Sequence, residues 1–399
     1  MNFSLGKILK GDRILWVVLA FLSIVSLMIV YSATGRLAYR EAGGNTFYYL
    51  SRQLIFLFLG FGLMALLVNV IPVKFYTYIA PLLLFVTIGA LLAAIVQYRL
   101  TPGKPTPRSL DLGFLSFQPA ELAKISLMMF VAKILAKRQT SKEDLKKAFY
   151  WVMGVSSIVC GIIFYGDIST SALIFGSVMV LMLIARIPAK FLLMTVGTGL
   201  LLLMLLYFTA DYLPDSVGRV HTFKERIDDF VYGDDQASLG TTQADYAKLA
   251  IYEGGMFGKG PGKSEVSNYM EAAYNDFIYA IIIEEYGLLG GFIVAMLYLI
   301  LLYRGVVIVR RSNRTYPAFL TAGLVLLIVF QATINMAVSV GVAPVTGQPM
   351  PWVSMGGTSM LFTAISFGAI LSVSYHNQRN KVVVEPPVMV DMPDEDEEL

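Results

Sequence analysis

Long apolar stretches alternate with shorter polar ones along almost the whole chain. A helix of about 20 apolar residues crosses a hydrocarbon layer of about 30 Å. The pattern therefore predicts an all-α integral membrane protein with about ten transmembrane helices. The fifth and sixth stretches are separated only by residues 166–169, so their boundary is the least distinct. The ten stretches lie at 14–32, 53–72, 75–97, 120–137, 148–165, 169–185, 191–209, 276–303, 316–338 and 357–375.

Composition supports this class and excludes several others. Hydrophobic residues make up 56% of the 399 positions, charged residues only 15%, and the mean hydropathy is +0.67, which is too apolar for a soluble globular protein. The net charge of +3 is too small to indicate a nucleic-acid partner. One cysteine, Cys160, forms no disulfide framework, and His221 and His376 lie too far apart to indicate a histidine metal site. A divalent cation, Mg²⁺ or Mn²⁺, held by carboxylates stays open.

Lys and Arg residues concentrate in alternate short connections, and this asymmetry predicts the orientation. Short cytoplasmic loops carry an excess of positive charge, so the N-terminus is predicted to be cytoplasmic. An even number of spans returns the C-terminus to the same side. The connections after the fifth span and before the last hold no Lys or Arg. The basic loop residues are Lys133, Lys137, Arg138, Lys142, Lys146, Lys147, Arg186, Lys190, Arg304, Arg310, Arg311 and Arg314.

The chain divides into three parts. Residues 1–13 are predicted to be a cytoplasmic N-terminal tail, residues 14–376 the membrane domain, and residues 377–399 a disordered acidic cytoplasmic tail, either plainly solvated or docking a basic partner. The membrane domain contains one large extracytoplasmic loop, 210–275, between helices seven and eight. Loops of this length are usually functional, so we expect the chemistry there.

Asp276 follows that loop directly, at the mouth of the eighth apolar stretch. A carboxylate at the edge of hydrocarbon loses hydration, which raises its pKa and makes it a stronger base. The alternative is that Asn275 or Asp276 only caps the helix N-terminus. The position alone favours neither reading.

A glycine-rich segment at 253–264 precedes the aspartate and contains Lys259 and Lys263. Glycines allow close backbone approach and lysines supply positive charge, so the segment suits a pyrophosphate group. A flexible re-entrant turn is an equal alternative. The spacing excludes a Walker A motif, because Phe257 stands where that motif needs glycine.

Ionisable residues within apolar stretches are functional candidates, since each costs about 2.5–3.5 kcal/mol on insertion scales. Glu121 and Lys124 are three residues apart on one predicted helical face and are expected to form a mainly architectural ion pair. Asp167 lies between the fifth and sixth stretches. Glu284 lies about 12 Å along the eighth helix from Asp276; with Glu285, it either tunes the electrostatic field or serves as a structural hydrogen-bonding group.

Two further polar clusters are dense in proline and glycine or in charge. The first, 344–359, contains Thr346 and Ser354 and predicts irregular backbone lining a cavity or buried in protein. The second joins the third and fourth stretches and contains Arg108 and Gln118.

These clusters together resemble the SEDS family of shape, elongation, division and sporulation proteins, which includes FtsW and RodA. The resemblance covers most of residues 14–376. Its most specific motif, Gln-Pro-(Ser)-Glu-Leu-x-Lys, is matched at 118–124. The Thr-Asp-Phe-Ile-Phe-Ala and Glu-Glu-x-Gly motifs are matched within 275–287, and the Pro-x-Thr-Gly and Pro-x-x-Ser-Tyr-Gly-Gly motifs within 344–357. The FtsW branch is favoured by the Glu-Leu-Ala-Lys sequence and the loop before the aspartate.

Several positions depart from the family pattern. Ser109, Ala120 and Met355 stand where the family has Trp, Ser and Tyr. Residues 271–274 replace the usual Pro-Glu-x-His, and a residue this close to the aspartate would contact the same substrate.

The resemblance implies a ten-span peptidoglycan glycosyltransferase that polymerises lipid II at the outer face of the cytoplasmic (inner) membrane. Its expected role is FtsW-like cell division, with RodA-like side-wall elongation as the alternative. The family's catalytic position falls on Asp276, and a single-span class B penicillin-binding protein, a transpeptidase, is the implied partner. The substrate-binding candidates are Arg108, Gln118, Lys259, Lys263, Thr346 and Ser354.

Two other function classes compete with the enzyme. A lipid II flippase needs a continuous polar cavity between the leaflets, which the intramembrane charges would line. A non-catalytic division or elongation scaffold needs no base at Asp276. Polymer formation by an Asp276→Ala variant separates the enzyme from the scaffold.

Overall fold

The computed structural model describes residues 9–41, 43, 45–101, 107–111, 113, 116–212, 220–232, 243–270 and 273–384. Most of the predicted acidic tail and the middle parts of the predicted large loop lie outside these residues. The described helices are α1 Arg13–Ala33, α2 Gly35–Glu41, α3 Thr46–Val70, α4 Val73–Leu100, α5 Pro119–Lys137, α6 Lys142–Gly166, α7 Ile168–Ile184, α8 Ala189–Thr209, α9 Val220–Tyr232, α10 Gln243–Gly254, α11 Ile278–Arg310, α12 Thr315–Ser339 and α13 Thr358–Val384. Strands β1 Leu110–Asp111 and β2 Ser116–Phe117 form one antiparallel pair.

Each of the ten predicted apolar stretches lies on one helix. Eight described helices are long and apolar enough to cross a membrane. Helix α5 carries the charges of Glu121, Lys124, Lys133 and Lys137, and α7 is shorter, with 17 residues. The predicted class of an all-α multi-pass membrane protein is confirmed, while the number of spans and the orientation stay predictions.

Helices α1 and α11 run antiparallel and are joined near both ends. Asp12 accepts hydrogen bonds from Ile14 N (3.0 Å) and Leu15 N (3.1 Å) at the start of α1, and it forms an ion pair with Arg304 of α11. At the other end, Ser32 donates to Glu285. Because an α-helix rises about 1.5 Å per residue, these two ties are about 30 Å apart. They fix residues 285–304 of α11 against α1.

Helix α11 is broken at Gly287, whose φ of 70° and ψ of −176° are not helical. The glycine-rich segment after α10 packs into this break: Lys259 N donates to Glu284 O and Gly260 N to Glu285 O, both at 2.9 Å. Gly258 lies so close that a Cβ built on it would be 2.2 Å from Glu285 O. Residues Ile278–Tyr286 thus form a separate, largely buried half-helix.

The proline- and glycine-rich segment between α12 and α13 is irregular, as predicted, and its residues 350–354 are buried within the protein. Trp352, at φ 69° and 2% exposure, anchors it: its Nε1 donates to Ser23 Oγ (2.8 Å), and its ring packs edge-on against Phe61. Ser26 Oγ donates to Val353 O (2.7 Å). Irregular backbone at membrane depth persists where its polar groups find such partners.

Candidate active site

Asp276 lies two residues before α11, which begins at Ile278. The N-cap position is Phe277, and no side-chain hydrogen bond caps this end of the helix. Asp276 is half-buried, and its Oδ1 atom is buried without a hydrogen-bond partner among the described residues. The helix-cap alternative is therefore wrong for Asp276, and its Oδ1 atom is not used by the described part of the protein.

The surroundings of Asp276 favour its neutral form. Burial raises the pKa of Asp276 to about 6, although the positive charges of Arg108 and Arg226 act in the opposite direction; the negative charge of Asp167 adds to the increase. A carboxyl group with this pKa is mostly ionised at neutral pH and is a stronger base than an exposed aspartate. The predicted shift towards a stronger base is thus found in the structure.

Arg108 is held beside this carboxylate by the junction of α6 and α7. Its Nε donates to Gly166 O (3.1 Å), and its Nη2 lies 3.4 Å from Asp167 Oδ2 in an ion pair without hydrogen-bond geometry. A Cβ built on Gly347, whose φ is 69°, would lie 3.8 Å from Arg108 Nη1 and 3.7 Å from Asp276 Oδ2. Arg108 and Asp276 therefore approach each other across a position that lacks a side chain.

Asp167 organises the same junction. It is 3% exposed, and its Oδ1 accepts a hydrogen bond from Thr170 N (3.0 Å), the usual arrangement of a helix N-cap. Gln118, at the start of α5, lines a small cavity between α4, α5 and α6 together with Arg108 and Asp167. The cavity lining is Leu91, Ile95, Pro107, Arg108, Gln118, Ala120, Ile162, Ile163, Gly166 and Asp167.

Arg226, on α9 within the predicted large loop, is a site residue that the sequence did not single out. Burial and the neighbouring Arg108 guanidinium lower its pKa, while the charges of Asp167 and Asp276 raise it. It is half-buried and forms no hydrogen bond or ion pair with another described residue. The spacing of Arg226 in the sequence does not indicate a site residue, because only the fold brings α9 next to groups that are at least 50 positions away.

Thr346 and Ser354, two predicted substrate contacts, lie in the segment between α12 and α13. Ser354 Oγ donates to Asn275 O (2.7 Å) and accepts from Met350 N (2.8 Å). Its hydroxyl thus binds two main-chain groups of the protein, and its contact with substrate stays a prediction. Thr346 is half-buried next to Gly347.

Lys259 does not join Asp276. Its Nζ pairs with Glu253, lies 3.5 Å from Glu284 Oε1 and 3.8 Å from Glu265 Oε2, and the Glu253 contact raises the pKa of the lysine. Lys263 is exposed in the same segment. The structure places the predicted pyrophosphate loop at the opposite end of the half-helix from Asp276, so Lys259 pairs with glutamates there instead of facing the carboxylate.

Glu284 and Glu285 have structural partners, as one of the two predicted readings required. Glu284 is fully buried and accepts hydrogen bonds from Ser264 Oγ and from Glu265 N (3.0 Å). Glu285 accepts from Ser32 of α1. These bonds hold the glycine-rich segment and α1 against the half-helix that begins after Asp276.

The predicted pair of Glu121 and Lys124 is formed, with Lys124 Nζ 2.7 Å from Glu121 Oε1. Lys124 also donates to Gln331 Oε1 (2.8 Å), and Gln331 Nε2 donates to Pro349 O (2.8 Å). Both charges are buried and satisfied by these partners, which lowers the cost of burying them. The pair thus connects α5 through α12 to the segment between α12 and α13.

Comparison with known proteins places the chain among cell-wall proteins. The profile of a family described as "Cell cycle protein", which groups FtsW, RodA and SpoVE, matches residues 12–379. A protein of Geobacter metallireducens called "Probable peptidoglycan glycosyltransferase FtsW" is 30% identical over 383 residues, which cover 94% of this chain and 98% of that protein.

Two solved structures share the fold. A chain from a peptidoglycan synthase complex that coordinates polymerisation and crosslinking superposes with a TM-score of 0.72 at 24% identity, covering 92% of this chain and 98% of that one. The rod shape determining protein RodA of Thermus thermophilus superposes with a TM-score of 0.65 at 22% identity and the same coverage. At these identities the likeness concerns the fold.

Proposed function

We propose that this chain, which belongs to the SEDS family of FtsW, RodA and SpoVE proteins, is an FtsW-like peptidoglycan glycosyltransferase that polymerises lipid II during cell division. The observation that carries the proposal is Asp276, a half-buried carboxylate with a pKa of about 6 and with two guanidinium groups close enough to act on its charge. The proposed location is the outer face of the cytoplasmic membrane, with both termini in the cytoplasm.

The position of Asp276 along the bundle supports that location. Its main-chain oxygen contacts Asn335, which lies about 30 Å along α12 from Thr315 at 1.5 Å per residue. Arg310, Arg311 and Arg314 lie just before Thr315 in the sequence, so the positive-inside rule assigns this end of α12 to the cytoplasm. Asp276 then lies one hydrocarbon thickness away, at the opposite interface.

In the proposed reaction, Asp276 accepts the proton of an acceptor sugar hydroxyl. The hydroxyl oxygen forms a bond to the anomeric carbon of the donor, and the bond between that carbon and the diphosphate oxygen breaks. Undecaprenyl diphosphate leaves with the electron pair. Arg108 and Arg226 stabilise the charge on this leaving group, because guanidinium groups bind phosphate oxygens with two parallel hydrogen bonds.

A divalent cation stays a proposal. Within the described part of the chain, no three His, Cys, Asp or Glu residues are grouped as metal ligands. Asp167 and Asp276 each have a buried oxygen without a hydrogen-bond partner there, and Mg²⁺ is often held by one or two carboxylates together with substrate phosphates. These two residues would hold the ion, which would supply additional positive charge to the diphosphate.

Arg226→Ala is expected to lower polymerisation by about tenfold or more, because a charge-assisted phosphate contact is worth about 1.5–3 kcal/mol. The measurement is the steady-state rate of lipid II consumption, with inhibition by undecaprenyl diphosphate as a second readout. In the variant the product should inhibit more weakly.

Lys224→Ala is the matched control, since it removes a cation from the same helix. Lys224 pairs with Asp211 instead of facing the site, and this contact raises its pKa. Equal losses in the two variants would assign the effect to the general charge of α9 and contradict a diphosphate contact by Arg226.

The proposed partner is a single-span class B transpeptidase. The solved relative in a peptidoglycan synthase complex supports this pairing of polymerisation with crosslinking. No described feature favours the flippase or the scaffold over the enzyme.

The test is reconstitution. The purified full chain is incubated with fluorescent lipid II, with and without the transpeptidase, and glycan strands are resolved on gels; Asp276→Ala is the blank. Strands formed by the wild type alone or with its partner, and absent from the blank, support the proposal. Lack of strands in every condition, from a chain that supports division in cells lacking its own copy, would favour the scaffold. Lipid transfer between leaflets without strands would favour the flippase.

A further inference from the structure

Asn335 of α12 is fully buried against the main chain of Asp276. Its Nδ2 donates two hydrogen bonds, to Asp276 O (2.9 Å) and to Gln348 O (2.8 Å). One amide group therefore joins the turn that carries Asp276 to the irregular segment between α12 and α13. None of the predicted site residues included it.

The neighbouring carbonyl is fixed in the same way. Ser354 Oγ donates to Asn275 O (2.7 Å), and Met355 N donates to Tyr274 O (3.2 Å). Three consecutive main-chain oxygens, of Tyr274, Asn275 and Asp276, are thus each bound by a group outside the turn.

The bonds continue around the site. Gln348 Nε2 donates to Thr170 Oγ1 (2.7 Å), and Thr170 N donates to Asp167 Oδ1 (3.0 Å). Asp167 in turn pairs with Arg108 (3.4 Å). Asn335 consequently connects the base to the arginine on the other side of Gly347 through a continuous chain of polar contacts.

The carboxylate of Asp276 has no comparable support of its own. Its Oδ1 has no hydrogen-bond partner among the described residues, so no described side chain anchors that oxygen. The direction of the carboxylate then depends on the main chain that carries it. That main chain is held by Asn335 and Ser354.

We propose that Asn335 is a positioning residue that holds Asp276 in its desolvated, reactive orientation. The inference rests on the proposed function insofar as it concerns catalysis. Loss of the Asn335 hydrogen bonds lets the turn move towards water and towards Arg108, and both changes lower the pKa of Asp276. Arg226 and Asp167 are the other charged groups that act on this carboxylate, and no substitution below replaces either of them.

The main test uses Asn335→Leu, which keeps the approximate volume and removes both donors. We expect kcat to fall by about 10²-fold with little change in KM, since a displacement of about 1 Å in a catalytic group has this effect. The acid limb of the pH–rate profile should move to lower pH.

Asn377→Leu is the matched control. Asn377 of α13 likewise donates from Nδ2 to a main-chain oxygen, Ile308 O (3.1 Å), and to a second acceptor, Ser312 Oγ (2.9 Å), but at the other end of the bundle. Both variants lose two hydrogen bonds from a buried amide. When rates are expressed per amount of folded protein, only the Asn335 variant should show a lower kcat and a shifted pH profile.

A readout independent of turnover separates this inference from the proposed function. The pH dependence of carbodiimide labelling at Asp276, followed by mass spectrometry, reports the pKa of the carboxyl group in any folded variant. If Asn335→Leu fails to fold, Ser354→Ala, which frees the adjacent carbonyl, should show the same direction of change. An unchanged labelling profile in folded Asn335→Leu, or in Ser354→Ala where Asn335→Leu does not fold, would overturn the role of Asn335, whether or not the wild type polymerises lipid II.

Discussion

Asp276→Asn is expected to reduce glycan polymerisation by about 10²-fold or more, the usual effect of losing a general base. Asparagine keeps the size and the main-chain bond to Asn335 but cannot accept the proton. The wild-type rate should rise with pH through about 6 as the carboxyl group ionises, and the residual rate of the variant should lack this limb. Asp276→Glu is expected to retain a trace of activity, because its carboxylate is displaced by one methylene.

The pH dependence of folding stability is an independent check on the pKa of Asp276, because stability should fall with rising pH whereas the polymerisation rate should rise. The pKa of Asp276 is raised from 3.8 to about 6, so the folded state favours the protonated form, and its contribution to stability is lost as pH rises between these values. The wild type should therefore lose stability relative to Asp276→Asn between about pH 4 and pH 6.

The matched control is Asp245→Asn, the same chemical change within the predicted large loop, where Asp245 forms an exposed pair with Lys248 (3.5 Å). It should polymerise normally. Near-normal polymerisation by Asp276→Asn, in the presence of the transpeptidase, would show that Asp276 is not the general base. The flippase and the scaffold would then be favoured over the enzyme.

Gly258→Ala is expected to cause the largest loss of folded protein. The φ of Gly258 is +79°, and a Cβ there would lie 2.2 Å from Glu285 O and 2.6 Å from Gly287 N, both main-chain atoms of another element. The left-handed conformation alone costs about 1–2 kcal/mol. The clash with the main chain of α11 adds to this conformational cost, so we expect a total loss of folding stability above about 4 kcal/mol. Yield of monodisperse protein and its melting temperature in detergent measure the effect.

Gly262→Ala separates the two causes. Gly262 has a similar φ of +72°, but nothing lies within 4 Å of its Cβ position. It should show only the modest conformational cost. Equal melting temperatures for the two variants would mean that the glycine-rich segment does not pack into the break of α11.

Contacts between residues far apart in the sequence determine which side chains surround Asp276, and the local sequence pattern does not reveal these contacts. The glycines and lysines around Lys259 suit a phosphate group, but the segment packs into the break at Gly287, and Lys259 therefore lies near Glu284 and away from Asp276. Ser354 lies in a family motif that indicates a polar contact, and the fold directs its hydroxyl to Asn275 O. In both cases the residue type indicates a polar partner, and the tertiary packing determines which partner it is.

The apolar pattern by itself determined the class of protein and the positions of ten helices in the described part of the chain, because a membrane span needs about 20 apolar residues. The motifs were enough to identify the family and to single out Asp276. Only the tertiary structure brought Arg226 of α9 near Arg108, and Asn335 of α12 beneath Asp276. These partners come from helices far apart in the sequence, and neither a lone arginine in a polar loop nor a lone asparagine in an apolar helix has a spacing that reveals its contacts.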